Sequence, residues 1–424
     1  MGNSSDWYRR RRYIHFDPPV GERAAHAVVS SPARVAAHAF YPLIRFVIKS
    51  KKVKWDKAAK ILVSKEKERH VSYAAHIDSH IYAYYALMLG ERYEAYLGQS
   101  GFSSAVLAFR RLGKSNIHFA RDAFDAIKAL GECDVIASDF SDFFGNLDHA
   151  VLKAKWSAVL GAGALPPDHY AVYKSLTKYT YVERRYLYAA LGISQHNPHA
   201  AGFRVCKPED FRSTVRGLKL IQRHPDKHGI PQGTPISAML SNIYMIDFDQ
   251  AMWTAASEVG GRYFRYCDDI LIIVPKGAGA SFRKLAETLA DVHHLPIHPE
   301  KTDERLFRMT PKGLSSVKPL QYLGFMFDGR DVFIRSASLA RYSDRMRRGV
   351  RLARATMRRR NELRVARGEA PRDLYVGKLY KRYSYLGRRN FISYAIRASE
   401  VIGARTIKRQ VRPLWARLKG AMRI

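Results

Sequence analysis

The chain has 424 residues, 47% hydrophobic and 12% aromatic, which suits two or three packed subdomains and excludes a disordered polypeptide. Its 72 Lys and Arg against 38 Asp and Glu leave a net charge of +34, which repels itself unless a polyanion neutralises it. Cys133, Cys206 and Cys267 are isolated, which excludes a disulfide framework or a Cys-rich zinc site. No apolar run reaches membrane-spanning length, and the start does not read as a secretory signal. A nucleic acid is therefore the expected partner, in the cytoplasm and without a membrane.

In chain order, residues 1–64 are basic and Ala-rich, and predict a helical N-terminal extension with helices around Ala24–Ser50 and Trp55–Val63. Residues 65–335 alternate helical and strand patterns. Cys133–Phe140 has the apolar, β-branched character of a buried strand, and Asp148 can cap a helix carrying Val151, Leu152 and Trp156. Ile236, Met239, Leu240, Ile243 and Ile246 recur at helical spacing after a Gly/Pro-rich turn. Arg262–Tyr266 and Ile270–Val274 read as two strands of a hairpin, and Gln321–Phe327 as one further short strand. From 336 to 424 the chain turns helical and strongly basic, with runs such as Arg358-Arg359-Arg360. The alternation points to an α+β fold.

Asp268 and Asp269 sit at the tip of that hairpin. Two adjacent carboxylates oppose each other's ionisation unless a cation relieves them, although a solvated turn is the ordinary reading of Asp-Asp. The apolar run Ile270–Val274 places the hairpin in a core, so its acids are held there at a cost. Asp139 ends a second buried strand, where a helix cap or turn residue would be unremarkable. Taken together the three predict a site for two Mg²⁺ ions and nucleotidyl transfer, one ion activating a 3′-hydroxyl and the other neutralising pyrophosphate. The clusters His224–His228 and His293-His294 read as loop residues and receive no metal.

Five segments, in order, resemble the reverse transcriptases. Asp139-Phe140-Ser141-Asp142-Phe143-Phe144 resembles their first carboxylate motif, and Tyr266-Cys267-Asp268-Asp269 their Tyr-x-Asp-Asp hairpin. Gly229–Ser237 (GIPQGTPIS), followed by Asn242, resembles the Pro-Gln-Gly motif of the bacterial and group II intron branch. His298–Thr302 is similar to the Lys-Thr segment, and Leu320–Phe325 to the primer grip. The resemblance implies a right-hand polymerase, with fingers and an antiparallel palm sheet in residues 65–335 and a basic helical thumb in 336–424. It implies catalysis by Asp139, Asp268 and Asp269, with metal ligands at Asp139, Phe140, Asp268 and Asp269. Phe144 matches the steric gate that excludes a ribose 2′-hydroxyl. Gln232 and Gly233 belong to the nucleotide site, together with Lys65, Arg69 and Lys301, each of which also reads as an ordinary surface cation. Tyr322, Leu323 and Gly324 match the primer grip.

The implied partners are an RNA template, a DNA primer or product, and dNTPs. No ribonuclease H domain or Cys/His-rich endonuclease tail is visible, nor the thumb Val-Thr-Gly tripeptide associated with retron enzymes, which Tyr375-Val376-Gly377 is not. The layout, with Ile81–Tyr85, Val106–Arg110 and Asn390–Ala395, resembles the bacterial defence-associated reverse transcriptases, type 2 class, whose template is a non-coding RNA encoded nearby. A retron or intron enzyme, a protein-primed or untemplated DNA polymerase, and an inactive RNA-binding scaffold are the alternatives. Oligomeric state is open. The Tyr- and Arg-rich stretch 160–228 is longer than the chemistry needs and is expected to touch RNA.

Overall fold

A computed structural model describes residues 6–56, 61–198, 202–297 and 302–423, with the backbone alone for 52–56, 62 and 65. The strands are β1 (Leu43–Asp56), β2 (Ile61–Tyr73), β3 (Cys133–Asp139), β4 (Thr180–Glu183), β5 (Gln222–Arg223) and β6 (Arg262–Tyr266). They continue with β7 (Asp269–Pro275), β8 (Asp303–Thr310), β9 (Gly313–Ser316), β10 (Leu320–Tyr322), β11 (Phe325–Phe327) and β12 (Val332–Ile334).

The central sheet runs β6-β7-β3-β8-β9 and is antiparallel throughout. Its two middle strands are apolar on both faces because each face meets a separate core. Ile136, Ile270, Ile272 and Val274 enter one core, with the helices His76–Ser100, His149–Leu160, Ser237–Tyr244 and Ile246–Glu258. Cys133, Val135, Leu271 and Ile273 enter the other, with the helix Asn116–Leu130, the β10–β12 sheet and the C-terminal helices. The two-residue period of a strand sends alternate side chains to opposite cores. Buried on both sides, β3 and β7 are largely apolar, and at one end of their ladder Asp139 and Asp269 are directly paired. The expected cap forms as well, Asp148 accepting from Val151 N at 2.9 Å.

Two expectations are corrected. Among its described residues the N-terminal segment is helical only over Glu22–Val29 and Pro32–Ala36, and the chain then enters the long hairpin β1–β2; residues 57–60 of the expected helix Trp55–Val63 lie outside the described residues. Ile44, Phe46 and Ile48 alternate with Arg45, Val47 and Lys49, a period that suits a pleated strand. The boundary between residues 64 and 65 therefore falls inside β2 and marks no structural edge. Gln321–Phe327 is two strands: Leu323 and Gly324 both take positive φ (45° and 94°) and turn the chain back on itself. A Leu in the left-handed region carries no turn signal in a sequence.

β4 pairs with β1 only over Leu43–Arg45, so most of β1–β2 projects as a two-stranded ribbon. After β12 the described chain is helical: Ser336–Val365, Gly377–Tyr383, Phe391–Ile402, Arg405–Val411 and Pro413–Arg423. Gln410 fastens this layer to the β10–β12 sheet by accepting from Ile334 N at 2.8 Å. Among the described residues no helix is long and apolar enough to cross a membrane.

Candidate active site

Cys267 and Asp268 form the two-residue turn between β6 and β7, and Cys267 adopts φ 62°. A left-handed Cys is uncommon and must be held in place. The restraint comes from below. Arg265 is fully buried and donates from Nη1 to the Cys267 carbonyl at 3.1 Å and to Asn242 Oδ1 at 3.2 Å. Its Nε and Nη2 make a two-pronged pair with Asp249 at 2.7 and 2.6 Å. Tyr263 also donates to Asp249, at 2.8 Å, and Asn242 donates to the Ala108 carbonyl at 2.9 Å. Burial opposes the Arg265 charge, but the Asp249 carboxylate outweighs it and raises the guanidinium above its ordinary value. Phe140 N donates to the Asp268 carbonyl at 3.2 Å, which ties the turn to the end of β3.

Asp139 stands in a partition between two cavities. One, of about 500 Å³, is lined by Asp139, Asp268, Phe140, Gln232, Arg45 and Tyr179, among others. The second, of about 890 Å³, is lined by Asp139, Asp269, Tyr266, Tyr322, Leu323 and Gly324. Adjacent residues at a strand end face opposite ways, so Asp268 and Asp269 serve different cavities while Asp139 serves both. Lys67 and Arg69 on β2 also line both. Among the described residues no group of three His, Cys, Asp or Glu side chains stands ready to hold a metal ion.

The glycines of the Pro-Gln-Gly segment are there for close approach. Gly233 has φ 113°, and a Cβ on it would lie 2.6 Å from the Ser72 carbonyl of β2, while Ser72 N donates to the Gln232 carbonyl at 2.8 Å. Gly229 (φ 88°) would bring a Cβ to 2.8 Å from the Gly145 carbonyl. Ile230 N donates to the Phe144 carbonyl at 2.9 Å, so this turn joins β2 to the segment after Asp139.

Gln232 lies on the wall of the Asp268 cavity. Phe143 and Gly145 line it on either side of Phe144, which is half-buried against the first core with its ring edge-on to Phe143. Lys65 pairs through its backbone with Lys52, and its side chain lies outside the described residues, as does Lys301. Thr302, next in the chain, accepts from Ser138 Oγ at 3.1 Å and so sits against β3. Tyr322 is buried, and the turn carbonyl of Leu323 accepts from Asn116 Nδ2 at 3.1 Å.

Sequence reasoning missed Arg265, Asp249 and Arg45, and gave Tyr179 only as part of the stretch 160–228 expected to touch RNA. The signal for the first was an Arg within a buried strand pattern, which demands a buried acid. Arg45 pairs with Glu183 at 2.7 Å and lies 3.6 Å above the Tyr181 ring; Tyr179 stacks on His224 at 4.6 Å. His224 and His228 bond to the carbonyls of His228 and Gly145, bracing this loop against the cavity rim. The long stretch after Leu160 thus contributes Tyr179 to the lining of the Asp268 cavity.

Residues 173–327 match the family model described as reverse transcriptase (RNA-dependent DNA polymerase). The match takes in Gln232, Asp268, Asp269 and Tyr322 and begins after Asp139. That segment is similar to a reverse transcriptase domain, and the chain is a mixed α+β fold whose five-stranded sheet is of the palm type. No curated protein matches. Solved structures with similarity include apo telomerase from Candida tropicalis truncated of its C-terminal domain, at 11% identity and TM-score 0.44, covering 68% of this chain and 57% of that one. Full apo telomerase from the same organism gives 13%, 0.40, 69% and 49%. Telomerase from Candida albicans, in complex with a TWJ fragment of telomeric RNA, gives 11%, 0.40, 92% and 60%. This chain thus spans about half to three fifths of those proteins.

Proposed function

We propose that this chain copies an RNA template into DNA by extending a primer 3′-end with deoxynucleotides. The observation that carries this reading is the partition: Asp139 between two cavities, with Asp268 and Gln232 on one side and Asp269 and the Tyr322–Gly324 turn on the other. A transferase joining two substrates needs its carboxylates shared between their binding sites, which is how this partition is built.

Asp139, Asp268, Asp269 and Phe140 would hold Mg²⁺. Magnesium keeps waters and substrate phosphates and takes few protein carboxylates, so a dedicated three-ligand cage is not required before substrate arrives. When bound, two such ions would acidify the primer hydroxyl and offset the charge of the leaving pyrophosphate. The chain's own residues do the rest. Arg69 and Lys67 face the cavity from β2, where cations bind a triphosphate, and Gln232 offers an amide at its wall. Phe144, at the gate position, disfavours a ribose 2′-hydroxyl. Lys301 protonates the leaving pyrophosphate, and Tyr322, Leu323 and Gly324 seat the primer end. We assign the chain to the bacterial defence-associated type 2 class, working in the cytoplasm on a dedicated non-coding RNA.

Primer extension on an RNA template with Mg²⁺ and dNTPs tests the reading. Wild type is expected to yield cDNA, and Asp268→Ala/Asp269→Ala to lose incorporation by several orders of magnitude. Equal incorporation by both proteins sinks it. Sequencing of RNA recovered with the protein from its native host tests the dedicated template: one enriched transcript supports it, and a random sample overturns it.

A further inference from the structure

A third cavity, of about 460 Å³, opens among the C-terminal helices and shares no lining residue with the two catalytic cavities. Its walls are Tyr383, Ile392, Ile396, Val411 and Trp415, and Tyr385 stands at its mouth, 56% exposed. Trp415 is held edge-on by Tyr385, their centroids 5.3 Å apart, and Tyr380 lies at the same distance. The rim is cationic. Lys408 and Arg412 line the opening, and Lys419 Nζ lies 5.4 Å from the centre of the Trp415 ring. From Ser336 onward the chain holds 25 Lys and Arg against five acids. Of those five, Glu400 reaches Lys408 at 3.5 Å.

An apolar, aromatic floor under a cationic rim is complementary to a ligand with a flat apolar body and an anionic tether. A nucleotide has that form. A base inside a duplex is stacked on both faces and paired at its edge, so only an unpaired base can enter. We infer that this cavity binds one unpaired nucleotide of a single-stranded nucleic acid, its base against Tyr385 and Trp415 and its phosphates on Lys408 and Arg412. The floor of the cavity is mostly apolar and aromatic surface, which stacks on any base. Ser384 Oγ already donates to the Tyr380 carbonyl at 2.8 Å and accepts from Leu386 N at 3.2 Å. Binding is therefore tolerant of sequence, and the cavity anchors a strand without selecting it. This goes beyond the polymerase reading and does not depend on it.

The test is binding of the full chain, carrying Asp268→Ala/Asp269→Ala to silence synthesis, to fluorescent oligouridine, oligothymidine and an RNA duplex of equal length. Tyr385→Ala, at an exposed position, is expected to weaken single-strand binding about tenfold while leaving the dependence on salt and the duplex affinity unchanged. Tyr385→Phe keeps the ring and should bind as wild type. Arg412→Gln should lower the single-strand salt slope by about 0.7. Oligouridine containing 4-thiouridine should crosslink to the peptides bearing Tyr385 or Trp415. A loss confined to RNA or to DNA identifies which strand is anchored. An equal loss on duplex, unchanged single-strand binding, or crosslinks only elsewhere overturns the proposal. So does an acidic peptide that binds in a Tyr385-dependent manner while oligonucleotides do not, since the cavity is then a protein-docking site.

Discussion

Asp249→Ala probes how the turn carrying Asp268 is held. The substitution leaves the Arg265 guanidinium, fully buried, without its counter-charge and removes the bonds at 2.7, 2.6 and 2.8 Å that Asp249 accepts. Breaking a buried pair by deleting one partner costs about 3–5 kcal/mol, because the remaining charge is stranded in low dielectric. That is a large share of the roughly 5–15 kcal/mol by which a domain is stable. Urea unfolding followed by tryptophan fluorescence should register it as a lower midpoint at unchanged slope. The double variant Asp249→Leu/Arg265→Met separates stability from positioning. Two well-packed apolar side chains recover most of the stability, since the buried pair itself contributes little net energy. They do not restore the donor at 3.1 Å to the Cys267 carbonyl, so primer extension stays low. An Asp249→Ala protein within about 1 kcal/mol of wild type would refute the burial argument, whose lower bound is about 3. A double variant with wild-type synthesis would refute the positioning role.

Gly233→Ala places a Cβ 2.6 Å from the Ser72 carbonyl at φ 113°, so the Gln232 turn must withdraw from β2. A cost of about 1–3 kcal/mol and a raised KM for dNTP are expected, read by thermal melting and steady-state incorporation; an unchanged KM would remove this turn from the nucleotide site. Arg69→Ala should raise the dNTP KM about tenfold or more with a smaller effect on kcat if the guanidinium binds the triphosphate in the ground state. The reverse pattern would place it elsewhere in the reaction. Burial pulls His15 down to about 3, and its ring is neutral, accepting from Phe16 N at 2.9 Å and facing the Tyr73 carbonyl at 3.3 Å. The unfolded chain takes up this proton near pH 6.5 and the folded chain does not. Its contribution is therefore full above pH 6.5 and falls by about 1.4 kcal/mol per unit as the pH drops toward 3. Urea unfolding at pH 7 and pH 5 should show a loss of about 2 kcal/mol from this group, absent in His15→Gln; equal losses in both proteins would exclude it.

Much of the palm was legible in the sequence for one reason. β3 and β7 are largely apolar on both faces, so the acids at one end of their ladder stand out: Asp139 and Asp269, paired, with Asp268 in the adjoining turn. The Gly/Pro turn before Ser237 and the Asp148 cap are local chemistry, decided within a few residues, and appear as expected. What escaped depended on partners far along the chain. The strand β1 has a two-residue alternation over Ile44–Lys49 within a basic segment that also reads as helix, and its long-range ladder with β2 is what selects the strand. Leu323 turns left-handed without any residue that asks for it. Arg265 finds Asp249 across the helix Ile246–Glu258, and Arg45 finds Glu183 from 138 positions away. The sequence by itself determined which residues are carboxylates at strand ends, because burial of the rest of each strand follows from composition. Only the tertiary structure decided that Asp268 and Asp269 serve different cavities and that Tyr179, from the stretch after Leu160, lines one of them. Those facts depend on which elements pack beside the strand ends, and packing brings together residues that no local pattern connects.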